Sequence, residues 1–328
     1  ALAAFTYGCQ IWFEGNVHTG NGVGTEMYSA INDAIAAREP WFGGERLPYC
    51  GVVLSNNTRD YWGIRQRRDN DARNTDRLFT ESFFGLTSLL MANQVQYSHL
   101  FDNTLTAEEL ARFSVVLLPN VACLSDASCE ALRIYVESGG RLIATYETAL
   151  YDEWGNWRQD FGLGGLFGVT YKDTLYKTAL EPPHWSRTLD KPELNGGEPG
   201  FTWQTRRTLI EALPGAEVLA TEAGVVYPAA EGEGLGGMPV IVRNRLSKGE
   251  AVYICDDLTQ GYYQAPYRTI PRILVSLIEQ STPPVRIEAP PQVIANTFSQ
   301  QVGRRHVVHL LNLPPMTTRL FERSQRDT

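Results

Sequence analysis

Two carboxylates in succession, Asp256-Asp257, follow the apolar run Ala251–Cys255 (AVYIC). Open α/β sheets bind ligands outside the carboxyl ends of their strands, and paired carboxylates there could hold a sugar or an ion. Helix capping with solvation is the competing reading. A second group is aromatic: Tyr151, Trp154 and Trp157 share one exposed-looking loop, with Tyr262, Tyr263 and Tyr267 further on. Such rings suit sugars and subunit contacts equally, because aromatics enrich both. His306 and His309 lie three apart on an expected strand, which sends them to opposite faces. His18, His99 and His184 are isolated. Neither a metal site nor a cofactor is expected.

The five cysteines form no CxxC pair, so their spacing signals neither zinc nor redox chemistry. Cys50, Cys123 and Cys255 lie in or near apolar runs and read as buried free thiols. Cys123 and Cys129 sit near an expected helix start, where a thiolate would be stabilised, but no histidine is near them in the sequence.

The 328 residues suggest about two domains. With 43% hydrophobic and 20% charged residues the composition is ordinary globular. It excludes long disorder, collagen and coiled coil. No apolar run approaches the roughly 18 residues of a membrane helix, so a soluble protein without a membrane partner is expected. The formal charge of −8 argues against a nucleic-acid surface, which needs a positive field. The cluster Arg65, Arg67, Arg68 is offset by Asp69 and Asp71 and reads as a solvated face. The first residues show neither a starting Met nor a basic segment before an apolar one. They read as entering in mid-structure, as in a processed product, an expressed fragment or the later part of a longer polypeptide. The compartment stays open.

The elements that must position these groups follow from periodicity. Residues 1–45 hold one strand (Tyr7–Phe13), a Gly/Asn/His-rich loop and one helix from Glu26 to Arg38, with Met27, Ile31, Ala34 and Ile35 on one face. That is too little to bury a core alone. Between 46 and about 158, apolar strands at 49–55, 95–101, 115–119 and 141–146 alternate with helices. Thr106 opens one helix with a capping-box pattern. Ser125 caps another, which Gly139-Gly140 stops. Continuous apolar strands separated by helices predict a mostly parallel, doubly wound α/β sheet.

From 160 to 250 Gly, Pro and aromatic residues interrupt the pattern, as in an elaboration inserted into the sheet domain. The sheet resumes with Ala251–Asp256 and closes with a helix over 267–280. Pro283-Pro284 marks a linker to a small β module at 283–328, with runs at 285–287, 293–298 and 305–313.

The stretch Val115–Asn120 (VVLLPN), Leu132–Tyr146 (LRIYVESGGRLIATY), Asp152-Glu153 and Gly165–Val169 (GLFGV) resembles the trimerisation domain of family 42 glycoside hydrolases, bacterial β-galactosidases, and of related hypothetical glycosidases. The resemblance covers residues 48–280. It implies a class I glutamine-amidotransferase-like (flavodoxin-like) sheet, preceded by a (β/α)8 barrel and followed by a small β domain. Residues 1–45 then resemble the last strand and helix of the barrel, residues 46–282 the amidotransferase-like domain, and residues 283–328 the β domain. Nearly all of the barrel is absent, and with it the two catalytic carboxylates that a retaining glycosidase needs about 5 to 5.5 Å apart.

Within that resemblance Glu14 would stand at the carboxyl end of a barrel strand, where such enzymes place their sites. Trp12, Glu14, Asn16 and His18 become candidates for peripheral substrate contact. The alternative is local bridging by Glu14, with Trp12 in the core. The amidotransferase elbow should follow Arg141–Tyr146, where Glu147 stands and no cysteine does. Glu147 therefore marks a degenerate nucleophile position, since a carboxylate cannot do thiolate chemistry, and no catalytic residue is assigned.

The expected role is oligomer assembly, with a trimer suggested by the resemblance, and walling of a barrel's active site. Two alternatives stand beside it. The chain could be a subunit or processed piece of an active β-galactosidase-like hydrolase whose barrel is on another chain. It could also be a free-standing carbohydrate-binding or surface-assembly protein.

Overall fold

In the computed structural model the described residues are 23–47, 49–62, 75–175, 184–204, 206–227, 236–265, 268–301 and 303–312. Helix α1 (Val23–Ala36) comes first, with Ile31, Ala34 and Ile35 half-buried along one side. Strand β1 (Glu45–Arg46) follows. The next elements alternate: β2 (Cys50–Leu54), α2 (Thr75–Ala92), β3 (Tyr97–Phe101), α3 (Ala107–Leu110), β4 (Val115–Leu118), α4 (Asp126–Glu137) and β5 (Arg141–Thr145). Both expected caps form. Thr106 accepts a hydrogen bond from the Glu109 amide and Ser125 from the Ser128 amide, satisfying first-turn donors that the helices leave orphaned.

Beyond β5 come α5 (Gly164–Phe167), β6 (Val169–Leu175), β7 (His184–Leu189), β8 (Gly200–Gln204), β9 (Arg207–Ala212), β10 (Glu217–Tyr227), β11 (Pro239–Leu246) and β12 (Gly249–Ile254). Helices α6 (Leu258–Gln264) and α7 (Thr269–Ile278) then lead to the hairpin β13 (Val293–Gln300) and β14 (Arg305–Asn312). The run 285–287, expected as β-like, joins no ladder.

The main sheet has nine strands in the order β3-β2-β4-β5-β12-β11-β10-β7-β8. The α/β class holds, but the expectation of a mostly parallel sheet needs correction. From β3 to β12 the neighbours run parallel. From β12 to β8 every pairing is antiparallel. The physical reason is connection length. Only Ser247 and Lys248 separate β11 from β12, whose ladder closes at Leu246 against Gly249. A link that short makes a hairpin, whereas a parallel crossover needs a dozen or more residues. The loosely patterned region thus widens the sheet itself, with β6 and β9 splitting off as a two-stranded ribbon.

The core runs through the parallel half and on into β10 and β11, where Leu219, Val240, Ile241 and Val242 are fully buried. Val52, Val115, Val116, Leu142, Val252 and Ile254 are fully buried, as strands covered on both faces require. The C-terminal hairpin does not stand alone. β13 takes up β1 to form a three-stranded sheet. Gln96 then ties that sheet to the main one: its Nε2 donates to Ala295 O at 3.1 Å, and its Oε1 accepts from Thr297 N at 3.0 Å.

Helices α2 and α6 cross at Gly85, where an added Cβ would stand 1.9 Å from the Thr259 carbonyl oxygen. Overpacking of this kind typically costs about 1–3 kcal/mol. Gly85→Ala is therefore expected to lower the apparent melting temperature clearly. Gly165→Ala, whose Cβ meets nothing within 4 Å, is expected to leave it nearly unchanged. Equal melting curves for the two variants would remove the close crossing as a constraint.

Candidate functional site

The carboxyl ends of β5 and β12 lie side by side, because the two strands pair in parallel with Thr145 against Ile254. After β5 the chain turns sharply. Tyr146 has φ +55° and Ala149 φ +62°, left-handed values that non-glycine residues adopt rarely and at a cost. The turn is held from several sides. Tyr146 N donates to Ile254 O at 2.8 Å, and Tyr253 Oη donates to Tyr146 O. Thr148 Oγ1 donates to Thr145 O at 2.7 Å and accepts from Val121 N at 3.2 Å. The strained residue after the strand is Tyr146, and Glu147 is the next one along.

Glu147 is fully buried, and the Trp62 indole donates to its Oε2 at 2.6 Å. Trp62 comes from a π-helical turn, Thr58–Trp62, that follows β2. Asp256 and Asp257 are buried as well, Asp257 being 1% exposed. Solvated capping is thereby excluded for the pair. Asp257 occupies the N-cap position of α6.

The Ser82 hydroxyl on α2 donates to Asp257 Oδ1 at 2.8 Å. Burial pushes the Asp257 carboxyl up to about 7, and the negative charge of Glu147 adds to this. The Ser82 hydroxyl, the Arg206 guanidinium and the Gln260 backbone N–H work in the opposite direction. Desolvation disfavours the charged form and here outweighs all three.

Beside these carboxylates lies a buried ion pair. Arg207 on β9 donates through Nη1 to Glu222 Oε2 on β10, both side chains being fully enclosed. Arg207 also forms an isolated antiparallel bridge with Asp256. Buried charges persist only when paired and hydrogen-bonded. Sequence reasoning found Glu147, Asp256 and Asp257 but missed Trp62, Ser82, Arg207 and Glu222. None of these four has a local signature, since each is brought in by a distant element.

The remaining candidates divide. Trp12, Glu14, Asn16 and His18 lie outside the described residues, as does Tyr267. Cys50, Cys123, Cys129 and Cys255 are buried, and no disulfide joins them to one another. Burial lifts the Cys129 thiol to about 11, which leaves too little thiolate for nucleophilic work at neutral pH. His309 sits against Phe42 and Phe298, and burial lowers its pKa. Among the described residues no group of three or more His, Cys, Asp or Glu could hold a metal ion. No helix among them is long and apolar enough to cross a membrane.

The aromatic loop is less uniformly exposed than its sequence suggests. Tyr151 is 7% exposed, because it bridges to Cys123 and Trp157 through backbone pairing. Trp154 and Trp157 are 64% and 53% exposed. Asp152 fastens the turn that carries them: Oδ1 accepts from Trp154 N at 3.0 Å and Asn156 N at 2.7 Å, and Oδ2 accepts from Asn156 Nδ2 at 2.9 Å. Gly155 has φ +74°, and a Cβ there would stand 2.8 Å from the Tyr61 Cβ.

The raised Asp257 pKa has a measurable sign. Below about pH 4 the group is protonated whether folded or unfolded. As pH rises from about 4 to about 7 the folded chain binds more protons than the unfolded one, so stability falls, and above about 7 the loss is complete. Asp257→Asn removes that loss while keeping an acceptor for Ser82. It is expected to stabilise the protein by on the order of 4 kcal/mol at pH 8 and by about 1 kcal/mol at pH 4.5. Denaturant midpoints at the two pH values check this; equal shifts at both would contradict it.

Residues 101–273 match the family described as the β-galactosidase trimerisation domain. The β-galactosidase BgaB of a Geobacillus species is 30% identical over 149 residues, which cover 45% of this chain and 20% of that protein. The β-galactosidase BbgII of Bifidobacterium bifidum is 25% identical over 218 residues, covering 63% of this chain and 30% of its own. The chain thus spans less than a third of the length of these relatives. Among solved structures, the α-L-fucosidase isoenzyme 2 of Paenibacillus thiaminolyticus shares the fold with a TM-score of 0.70 at 15% identity, over 95% of this chain and 46% of that one. The cold-adapted β-galactosidase of Rahnella sp. R3 does so with a TM-score of 0.64 at 17% identity, over 85% and 38% respectively. With more than half of its length matched, this chain belongs to the β-galactosidase trimerisation domain family.

Proposed function

We propose that this chain is the assembly portion of a family 42-like glycoside hydrolase, without a catalytic site of its own. It would hold copies together and wall the active site of a barrel. The observation that carries this reading is the filled carboxyl edge of the sheet. Where an open α/β domain leaves a crevice for its ligand, Glu147, Asp256 and Asp257 are sealed in protein, against Trp62 and Ser82.

The same geometry supports a lost amidotransferase-like site. The left-handed turn after β5 persists as a shape, with Tyr146 and Glu147 where a nucleophilic cysteine would have to stand. A nucleophile needs an adjacent base and an exposed face, and this turn is interior. Conversely, loss of catalysis leaves a rigid scaffold, which suits holding subunits in register.

A second reading rests on length. The relatives are two to five times larger than the matched share. The chain would then be a piece of an active hydrolase whose catalytic carboxylates lie on a barrel outside these 328 residues.

Sedimentation velocity at micromolar concentration is expected to show self-association toward a trimer; a monomer would remove the assembly role. A chromogenic galactoside is expected to remain intact with the purified chain, and turnover by that chain alone would overturn the non-catalytic reading. Mass analysis of the native complex separates the two readings, since a co-purifying barrel chain is required only by the second.

A further inference from the structure

We propose that the turn 152–157 is a self-association contact, its Trp154 and Trp157 side chains seating on a different surface of a second copy of this chain. The inference rests on the assembly role above and locates it.

Three observations converge on the turn. First, it presents large apolar area: Trp154 is the most exposed large hydrophobic residue described, and Trp157 on the same turn is 53% exposed. Each indole is braced edge-on by a tyrosine, Trp154 by Tyr61 at 5.8 Å and Trp157 by Tyr171 at 6.4 Å between ring centroids. Aromatic anchors of this kind dominate binding hot spots.

Second, the turn is rigid before any partner arrives. The Asp152 carboxylate closes it through three hydrogen bonds, and Asp152 N donates to Asn156 O at 2.9 Å. At its base the Arg158 guanidinium donates to Leu124 O at 3.1 Å and pairs with Asp126 at 2.7 Å. A pre-ordered contact loses little conformational entropy on binding.

Third, the turn lies inside the stretch that matches the trimerisation domain family. A three-fold ring uses head-to-tail contacts, so the patch on one copy meets an unlike patch on the next. A projecting aromatic turn fits that asymmetry.

A sugar is the competing occupant, and the polar groups argue against it. Saccharide sites combine apolar faces with convergent polar groups that fix orientation. Here Asp152 and Asn156 are engaged with one another in holding the turn. The exposed recognition element is therefore apolar area. A fully buried tryptophan removes about 150–250 Å², against roughly 800 Å² per partner in a stable interface. The pair supplies the centre of a contact rather than the whole of it.

The test compares sedimentation of the wild-type chain with Trp154→Ala, Trp157→Ala and the double variant. Leu310→Ala, which trims another exposed apolar side chain on β14, is the control. The double variant is expected to associate at least tenfold more weakly, with unchanged circular dichroism, while the control associates like wild type. A wild-type monomer would remove the assembly role itself. A wild-type oligomer that the double variant leaves intact, or that Leu310→Ala weakens equally, would remove only the assignment to this turn. Saturable quenching of tryptophan fluorescence by lactose, lost in the double variant while the oligomer persists, would also overturn it and make the turn a sugar platform.

Discussion

One side chain, Tyr253, binds together parts of the molecule that the chain keeps far apart. Its hydroxyl reaches the carbonyl of Tyr146 in the strained turn and lies 2.8 Å from Thr208 Oγ1 on β9. Its ring stacks on Phe167 of α5 at 5.0 Å and tilts against Phe161 at 5.1 Å. A phenol can be buried this completely only with its hydroxyl satisfied. Satisfying it fixes where the end of β5, the β6–β9 ribbon and α5 must sit around β12. β12 itself is the seam of the sheet, parallel to β5 on one edge and antiparallel to β11 on the other. The left-handed backbone at Tyr146 survives because this surrounding structure over-determines it, which is how such strain persists in proteins generally.

The carboxylates at the sheet edge show how far such sealing goes. Glu147, Asp256 and Asp257 are enclosed by an indole, a serine hydroxyl and the neighbourhood of a buried Arg207–Glu222 pair. Interior polar groups of this density raise the cost of any wrong arrangement, since each unpaired one would carry its full desolvation penalty. At this edge the polar groups act as specifiers of the fold.

What could be read from the sequence follows the range of each interaction. Thr106 and Ser125 announced their helices because capping is settled within four residues. The strands of the parallel half announced themselves by continuous apolar runs. Strand direction in the other half did not, because it depends on pairing partners and on a two-residue connection embedded in a loosely patterned region. Helix α6 (LTQGYYQ) was missed for the opposite reason: Leu258 to Tyr262 are all buried, so no amphipathic stripe exists to be seen. Glu147 and the Asp256-Asp257 pair were legible as positions at strand ends. Their enclosure was not, because Trp62 lies 85 residues from Glu147 and Ser82 175 residues from Asp257. Tyr151 and Trp154 look alike in sequence and differ only through backbone bridges made across the loop.

The seam at β12 also carries a cost in time. β5 is complete at Thr145, but the strand that covers its second edge ends at Ile254. At about 5–20 residues per second, a ribosome needs on the order of 5–20 s to deliver the missing neighbour. Throughout that interval the row Leu142-Ile143-Ala144, fully enclosed in the finished molecule, offers an open ladder to any other nascent strand. The half-made chain therefore carries an unpaired edge that the finished sheet lacks, and it stays open until β12 arrives to close it.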